Sequence, residues 1–212
     1  MSYNDLLSNN IDFFDRFCPN FFLLSIFLCF FIFLSCQKNE FLDEIVFDNS
    51  LLNSISFIAE KKEIKISYDT TFDESYIDHV MAISPAQRIN SWLKNNINNF
   101  GTFNKIVIDI NKASITRKEI DSKIKVEVAG ISKEKKEYIY ELNFKVLFLL
   151  YNDSDQVLAL TEVEVYRSTT SSLFISLNER NRILDNLTLN ALKDLSNKSV
   201  ELLKIHMLEY TL

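Results

Sequence analysis

The residues best able to do chemistry lie together, just ahead of a clearly marked helix start. His79 follows Tyr76, and the serines and aspartates that could complete a catalytic triad are Ser75, Ser84, Asp73 and Asp78. In such a triad the histidine accepts the serine proton and the carboxylate orients the imidazole ring. The Gly-x-Ser-x-Gly turn that exposes a nucleophilic serine is absent from the sequence. We therefore interpret Tyr76 and His79 as candidate partner-binding residues, expect no catalytic residue, and keep a His79-dependent hydrolase as the less favoured alternative.

The numbers and spacing of glycine, histidine and cysteine give little support for a cofactor or metal site. The 212 residues include two glycines, Gly101 and Gly130, which excludes the glycine-rich loops that bind nucleotide phosphates. There are two histidines, His79 and His206, and the zinc-binding spacings H-E-x-x-H and C-x-x-C are absent. We expect no metal and no cofactor. The net charge of −6 gives no general attraction to phosphates, so we expect no nucleic-acid partner.

The amino-terminal segment carries the clearest targeting signal. Residues 21–34 are apolar except for Ser25. A helix that crosses a membrane needs about 20 apolar residues, whereas the apolar region of a secretory signal has about 7–15. The apolar run ends at Ser35 and Cys36. This arrangement predicts an export signal, and the alternative is a short uncleaved anchor formed by residues 20–35.

The junction after the apolar run resembles a bacterial lipobox, with Phe33 at −3, Leu34 at −2, Ser35 at −1 and Cys36 at +1. The resemblance implies cleavage before Cys36, lipidation of its thiol, and a membrane anchor. It also implies, from Gln37 at +2, an outer-membrane location on the periplasmic face. The uncleaved alternative would instead hold the chain in the inner membrane.

The chain is thus predicted to have three parts: residues 1–35 as a lipoprotein-type signal peptide, 36–50 as an acidic tether, and 51–212 as a single α+β domain. Cys18 and Cys29 would leave with the signal peptide. The mature chain would keep 22 basic and 26 acidic residues and Cys36 as its one cysteine. A domain with no spare thiol must fold without disulfides.

Two helices have recognisable starts. Ser84, Pro85 and Gln87 form a capping box with proline at the first helical position, and Gly101 is a predicted helix stop. Ser176 opens a second capping box and a helix that reaches about Leu208. Apolar residues at three- and four-residue steps mark one face of each helix.

In the rest of the domain, apolar and polar residues alternate as they do in β-strands. Residues 54–59 and 63–68 predict a β pair with a turn at 60–62, and later runs predict strands near 106–115, 138–151 and 157–167. A phase change predicts a bulge near Asn111, and residues 130–136 are predicted to form a charged loop. The fold class is therefore α+β: an antiparallel meander sheet of about four strands with two amphipathic helices on one face, preceded by a short β pair.

Several local patterns resemble an uncharacterised family of bacterial envelope lipoproteins, across residues 70–208. They are Tyr76-x-x-His79 ahead of the Pro85 helix with its Trp92, and the run 176–180, SLNER. More distantly, the plan is similar to lipoproteins that assist lipid or lipopolysaccharide transport complexes. The resemblance implies a membrane-anchored periplasmic lipoprotein, a non-enzymatic binding or auxiliary component in envelope assembly or transport, with an envelope protein as partner. The alternative is a lipid carrier with an apolar groove.

Overall fold

The order of elements follows from a computed structural model that describes residues 45–128 and 131–212. The strands are β1 (Ile55–Phe57), β2 (Lys61–Ile66), β3 (Ile97–Asn99), β4 (Lys105–Val128), β5 (Ile131–Tyr151) and β6 (Val157–Ser172). The helices are α1 (Pro85–Asn96) and α2 (Leu177–His206), with short 3-10 turns at Asn49–Leu51, Asp78–Val80 and Leu208–Tyr210. The α+β class is confirmed. The predicted signal peptide, Cys36 and most of the predicted tether lie outside the described residues.

The main sheet is mixed, which corrects the predicted antiparallel meander. Its order is β2-β4-β5-β6. The neighbours β4–β5 and β5–β6 are antiparallel, as predicted, but β2 runs parallel to β4. Parallel neighbours need a crossover connection, and α1 supplies it between β2 and β4. Two strands separated by a helix can be neighbours in one sheet. The local sequence pattern of each strand does not show this pairing.

The predicted β pair at the start of the domain is also wrong. β1 pairs in parallel with β3, the segment directly after α1, and β2 pairs with β4. Residues 60–62 therefore do not form a hairpin turn, since β2 begins at Lys61.

Helix α1 begins as predicted and ends earlier than predicted. The Ser84 side chain accepts a hydrogen bond from Gln87 N, and the Gln87 side chain accepts one from Ser84 N. The helix ends at Asn96 because the chain turns into β3. Gly101 has a different role from a helix stop: a Cβ there would lie 2.9 Å from Ala59 N, so its hydrogen side chain permits close approach of two backbones.

The long strands confirm some local predictions and extend others. The pairing of β4 with β5 shifts register between Ile110 and Lys112, at the predicted bulge. The charged segment predicted as a loop is strand instead, because β5 begins at Ile131. Before β6 the chain turns at residues 153–155, where Asp155 has φ 55°, and β6 continues past Arg167 to Ser172.

One face of the sheet carries the hydrophobic core. On β5 the buried residues alternate as predicted: Tyr140, Leu142, Phe144, Val146 and Phe148. One helix, α2, lies along this face over β5 and β6, where two helices were predicted. Helix α1 packs beside β2, β3 and β4, and its Ile89, Trp92 and Leu93 join the same core. Among the described residues, no helix is long and apolar enough to cross a membrane.

Candidate functional site

The candidate site is the surface loop, defined as residues 67–84, which connects β2 to α1. Two backbone hydrogen bonds fix it to β4 beyond the end of β2: Ile77 N to Ile115 O at 2.9 Å, and Arg117 N to Ser75 O at 2.7 Å. Tyr76 forms an antiparallel bridge with Thr116 between them. The surface loop thus continues the sheet edge for a few residues, which gives it a defined position.

A hydrogen bond between half-buried Tyr68 and buried Asp78 holds the surface loop from inside. Asp78 is 1% exposed, and its Oδ2 accepts a hydrogen bond of 3.0 Å from the Tyr68 hydroxyl. Burial, and then the negative charge of Asp78, raise the pKa of Tyr68 far above its usual range, so the phenol remains a hydrogen-bond donor. Asp78 Oδ1 has no hydrogen-bond partner in the part of the chain that the structure describes. The tyrosine hydroxyl is therefore the principal stabilising contact of this carboxylate.

The outer side of the surface loop is apolar and aromatic. His79 is exposed, and its ring centroid lies 5.4 Å from that of Phe72, which is 81% exposed. Val80 and Ile83 are exposed beside them in the chain. Tyr76, the other predicted partner-binding residue, is half-buried. The two predicted residues therefore share one loop but differ in exposure.

Three of the four side chains proposed to complete a catalytic triad with His79 have hydrogen-bond partners other than His79. Ser84 Oγ accepts a hydrogen bond from the first turn of α1, and Asp78 accepts one from Tyr68. Asp73 Oδ1 accepts a hydrogen bond from Ser75 N at 3.4 Å. Within residues 45–128 and 131–212, no hydrogen bond connects His79 to a serine or an aspartate. The same residues hold no cluster of three or more potential metal ligands from His, Cys, Asp and Glu.

The residues that a lipid carrier would need for its groove are core residues. The apolar face of α2 and the inner face of the sheet bury each other, together with α1. Members from the helices include Ile89, Trp92, Leu93, Leu184, Leu187 and Leu195. These side chains are at most 5% exposed, so in this structure they serve packing.

Sequence reasoning missed Phe72, Tyr68 and the buried role of Asp78. Phe72 could have been found, since it is an isolated aromatic residue among Thr, Asp, Glu and Ser in a loop that precedes a capped helix. No sequence pattern signals the Tyr68–Asp78 contact, because nine residues without a regular period lie between the two.

Tyr68→Phe is expected to lower the free energy of unfolding by about 1–3 kcal/mol, since it leaves a buried carboxylate without its donor. Denaturant unfolding followed by circular dichroism would measure this. Tyr151→Phe is the matched control, because Tyr151 is also half-buried and its hydroxyl makes no hydrogen bond within the described residues. Equal stability of the two variants would contradict the assigned role of the Tyr68 hydroxyl.

Comparison with known proteins gives distant likenesses only. No family model and no curated protein matches the chain. A minor lipoprotein from Acinetobacter baumannii has 10% identity and a TM-score of 0.39, covering 72% of this chain and 95% of that chain. Rare lipoprotein B from Shewanella oneidensis has 12% identity and a TM-score of 0.35, covering 67% and 95%. A neuraminyllactose-binding hemagglutinin homolog from Helicobacter pylori has 12% identity and a TM-score of 0.37, covering 80% and 97%. With identities and TM-scores this low, the likenesses assign neither a family nor a function to this chain.

Proposed function

We propose that the chain is a membrane-anchored, non-enzymatic lipoprotein of the bacterial envelope that binds a protein partner through the surface loop. The observation that carries the binding role is the two-sided character of this loop. Its inner side is fixed by Ile77, Asp78 and backbone bonds to β4, while its outer side exposes Phe72 and His79. A positioned loop on a rigid sheet is the usual arrangement of a recognition surface.

The anchor is supported by sequence. The apolar run to Leu34 is too short to span a bilayer easily, and Ser35 with Cys36 follows it in the lipobox arrangement. The thiolate of Cys36 would be the nucleophile that accepts the lipid, and Gln37 favours the outer membrane. The proposed partner is an envelope protein, in an assembly or transport role, because the mature chain would meet such proteins first.

The chemistry of the surface loop suits an apolar contact with a protein. Exposed aromatic and aliphatic side chains contribute to binding free energy because a partner that covers them removes their apolar surface from water. Phe72, Val80 and Ile83 offer such area, and the imidazole of His79 adds a polar group beside it. Tyr76 would act by positioning the loop against Thr116.

A photoreactive phenylalanine analogue in place of Phe72 tests this function in the native envelope. We expect a discrete cross-linked protein, with a yield that falls several-fold when His79→Ala and Val80→Ser are added. The matched control places the analogue at Tyr166, which is exposed on β6. The melting temperature of each variant would be measured in parallel. The same adducts from positions 72 and 166, or adducts insensitive to the added changes, would contradict binding through the surface loop.

A further inference from the structure

We infer that the surface loop selects a basic partner segment, one that presents lysine or arginine beside an apolar side chain; this rests on the proposed function. Asp69, Asp73 and Glu74 are exposed on the loop and lie on both sides of Phe72 in the chain. Residues 67–84 include no lysine or arginine. The exposed aromatic side chain of the loop is therefore flanked by negative charge alone.

The three exposed carboxylates are not neutralised within the domain. None of them forms an ion pair with another residue that the structure describes. Asp73 Oδ1 accepts a hydrogen bond of 3.4 Å from Ser75 N, which leaves the charge of this carboxylate in place. Exposed carboxylates without a counter-ion attract cationic side chains of a partner.

The basic residues of the adjoining elements do not cancel this charge. Several are already paired with acidic neighbours: Lys65 with Glu63 at 3.3 Å, Arg88 with Asp185 at 2.9 Å, and Lys118 with Glu141 at 2.8 Å. Lys112 and Arg117 lie on the part of β4 beside the loop, and they are fewer than the four acidic residues of the loop. The surface loop and its surroundings therefore keep an excess of negative charge.

A buried carboxylate on the inner side of the loop adds an acceptor to this surface. Asp78 is 1% exposed, and its Oδ1 has no hydrogen-bond partner among the described residues. A buried acceptor without a donor is costly, so a group that supplies a hydrogen bond is favoured there. The ammonium of lysine and the guanidinium of arginine are such donors. The next residue, His79, is the one side chain of the loop that can gain a positive charge, and the loop stays negative when it does.

Charge around an apolar contact affects binding differently from the contact itself. Complementary charges speed association and reject partners of the wrong sign, and salt screens them. Burial of the Phe72 ring depends on the removal of apolar area from water, on which moderate salt has little effect. The charge preference of the loop can therefore be measured apart from its apolar contact.

The inference is tested with two fluorescent peptides, Lys-Arg-Leu-Phe-Lys-Arg and Glu-Asp-Leu-Phe-Glu-Asp, added to the full chain in detergent. Fluorescence anisotropy gives the affinity for each peptide. We expect the basic peptide to bind several-fold more tightly, and Asp73→Asn combined with Glu74→Gln to remove most of this difference. The matched control combines Glu201→Gln with Glu209→Gln, which neutralises two exposed acidic residues outside the surface loop and should keep the difference. Equal affinities for the two peptides, or equal weakening by the two double variants, overturn the inference.

The proposed function is read separately, from the adduct that the photoreactive analogue at position 72 forms in the native envelope. A discrete adduct whose yield is unchanged by Asp73→Asn with Glu74→Gln and by added salt keeps the binding role of the loop and overturns the basic character of the partner segment. Tight binding of the basic peptide that depends on Asp73 and Glu74, without a discrete adduct in the envelope, supports the charge preference of the loop and overturns an envelope protein as its partner.

Discussion

Phe144→Ala is expected to lower the free energy of unfolding by about 3–5 kcal/mol. Phe144 is fully buried at the centre of β5, with Ala113 of β4 and Val165 of β6 as its cross-strand neighbours. Removing the ring loses its transfer free energy and leaves a cavity that a sheet on one side and α2 on the other cannot close. For a domain of this size the loss corresponds to a fall in Tm of about 6–20 °C.

Phe174→Ala is the matched control, because the same substitution is made at a position 97% exposed. Thermal and denaturant unfolding of both variants would be compared with the unsubstituted chain. The control is expected to change stability by less than about 0.5 kcal/mol. Similar losses at the two positions would contradict the placement of the core on the inner face of the β4–β5–β6 sheet.

Cys36→Ala is expected to abolish incorporation of a fatty-acid label and to leave the chain unprocessed. Alanine has no thiolate, so it cannot act as the nucleophile toward a lipid donor. Metabolic labelling with a fatty-acid analogue, read on a gel with the size of the chain, measures both effects. Cys29→Ala lies within the apolar run and should keep the label. Equal labelling of the two variants would show that another residue carries the lipid.

Local signals predicted the parts of the fold that depend on near neighbours. The capping box at Ser84, the bulge after Ile110 and the alternation along β5 each involve residues a few positions apart, and each is confirmed. Strand direction depends on residues far apart in the chain. Whether β2 pairs with β1 or with β4 is decided by burial of α1 and β3, which no local pattern encodes.

The end of α1 illustrates how packing overrides periodicity. Ile97 continues the apolar spacing of the helix, so the sequence predicts a longer helix. In the structure Ile97 is buried in β3 beside Ile55, where a β-branched residue also fits well. Phe100 then emerges at the surface, and Gly101 serves a backbone contact with Ala59.

The sequence predicted where in the chain the candidate site lies, but not which of its side chains are buried and which are exposed. Tyr76 and His79 were predicted to lie just ahead of a capped helix, and the structure places both on the surface loop; their partner-binding role stays a prediction. The division of the loop into a buried side at Asp78 and an exposed side at Phe72 depends on contacts with Tyr68 and β4. Sequence alternation is uninformative there, because the loop has no regular period.

The intact mass of the protein extracted from native membranes would show whether the chain is a lipoprotein anchored at Cys36. We expect a chain that begins at Cys36 and carries a covalently attached lipid, with the mass of residues 1–35 absent. A chain that still contains residues 1–35 and bears no lipid would contradict the lipid anchor and favour the uncleaved anchor at residues 20–35.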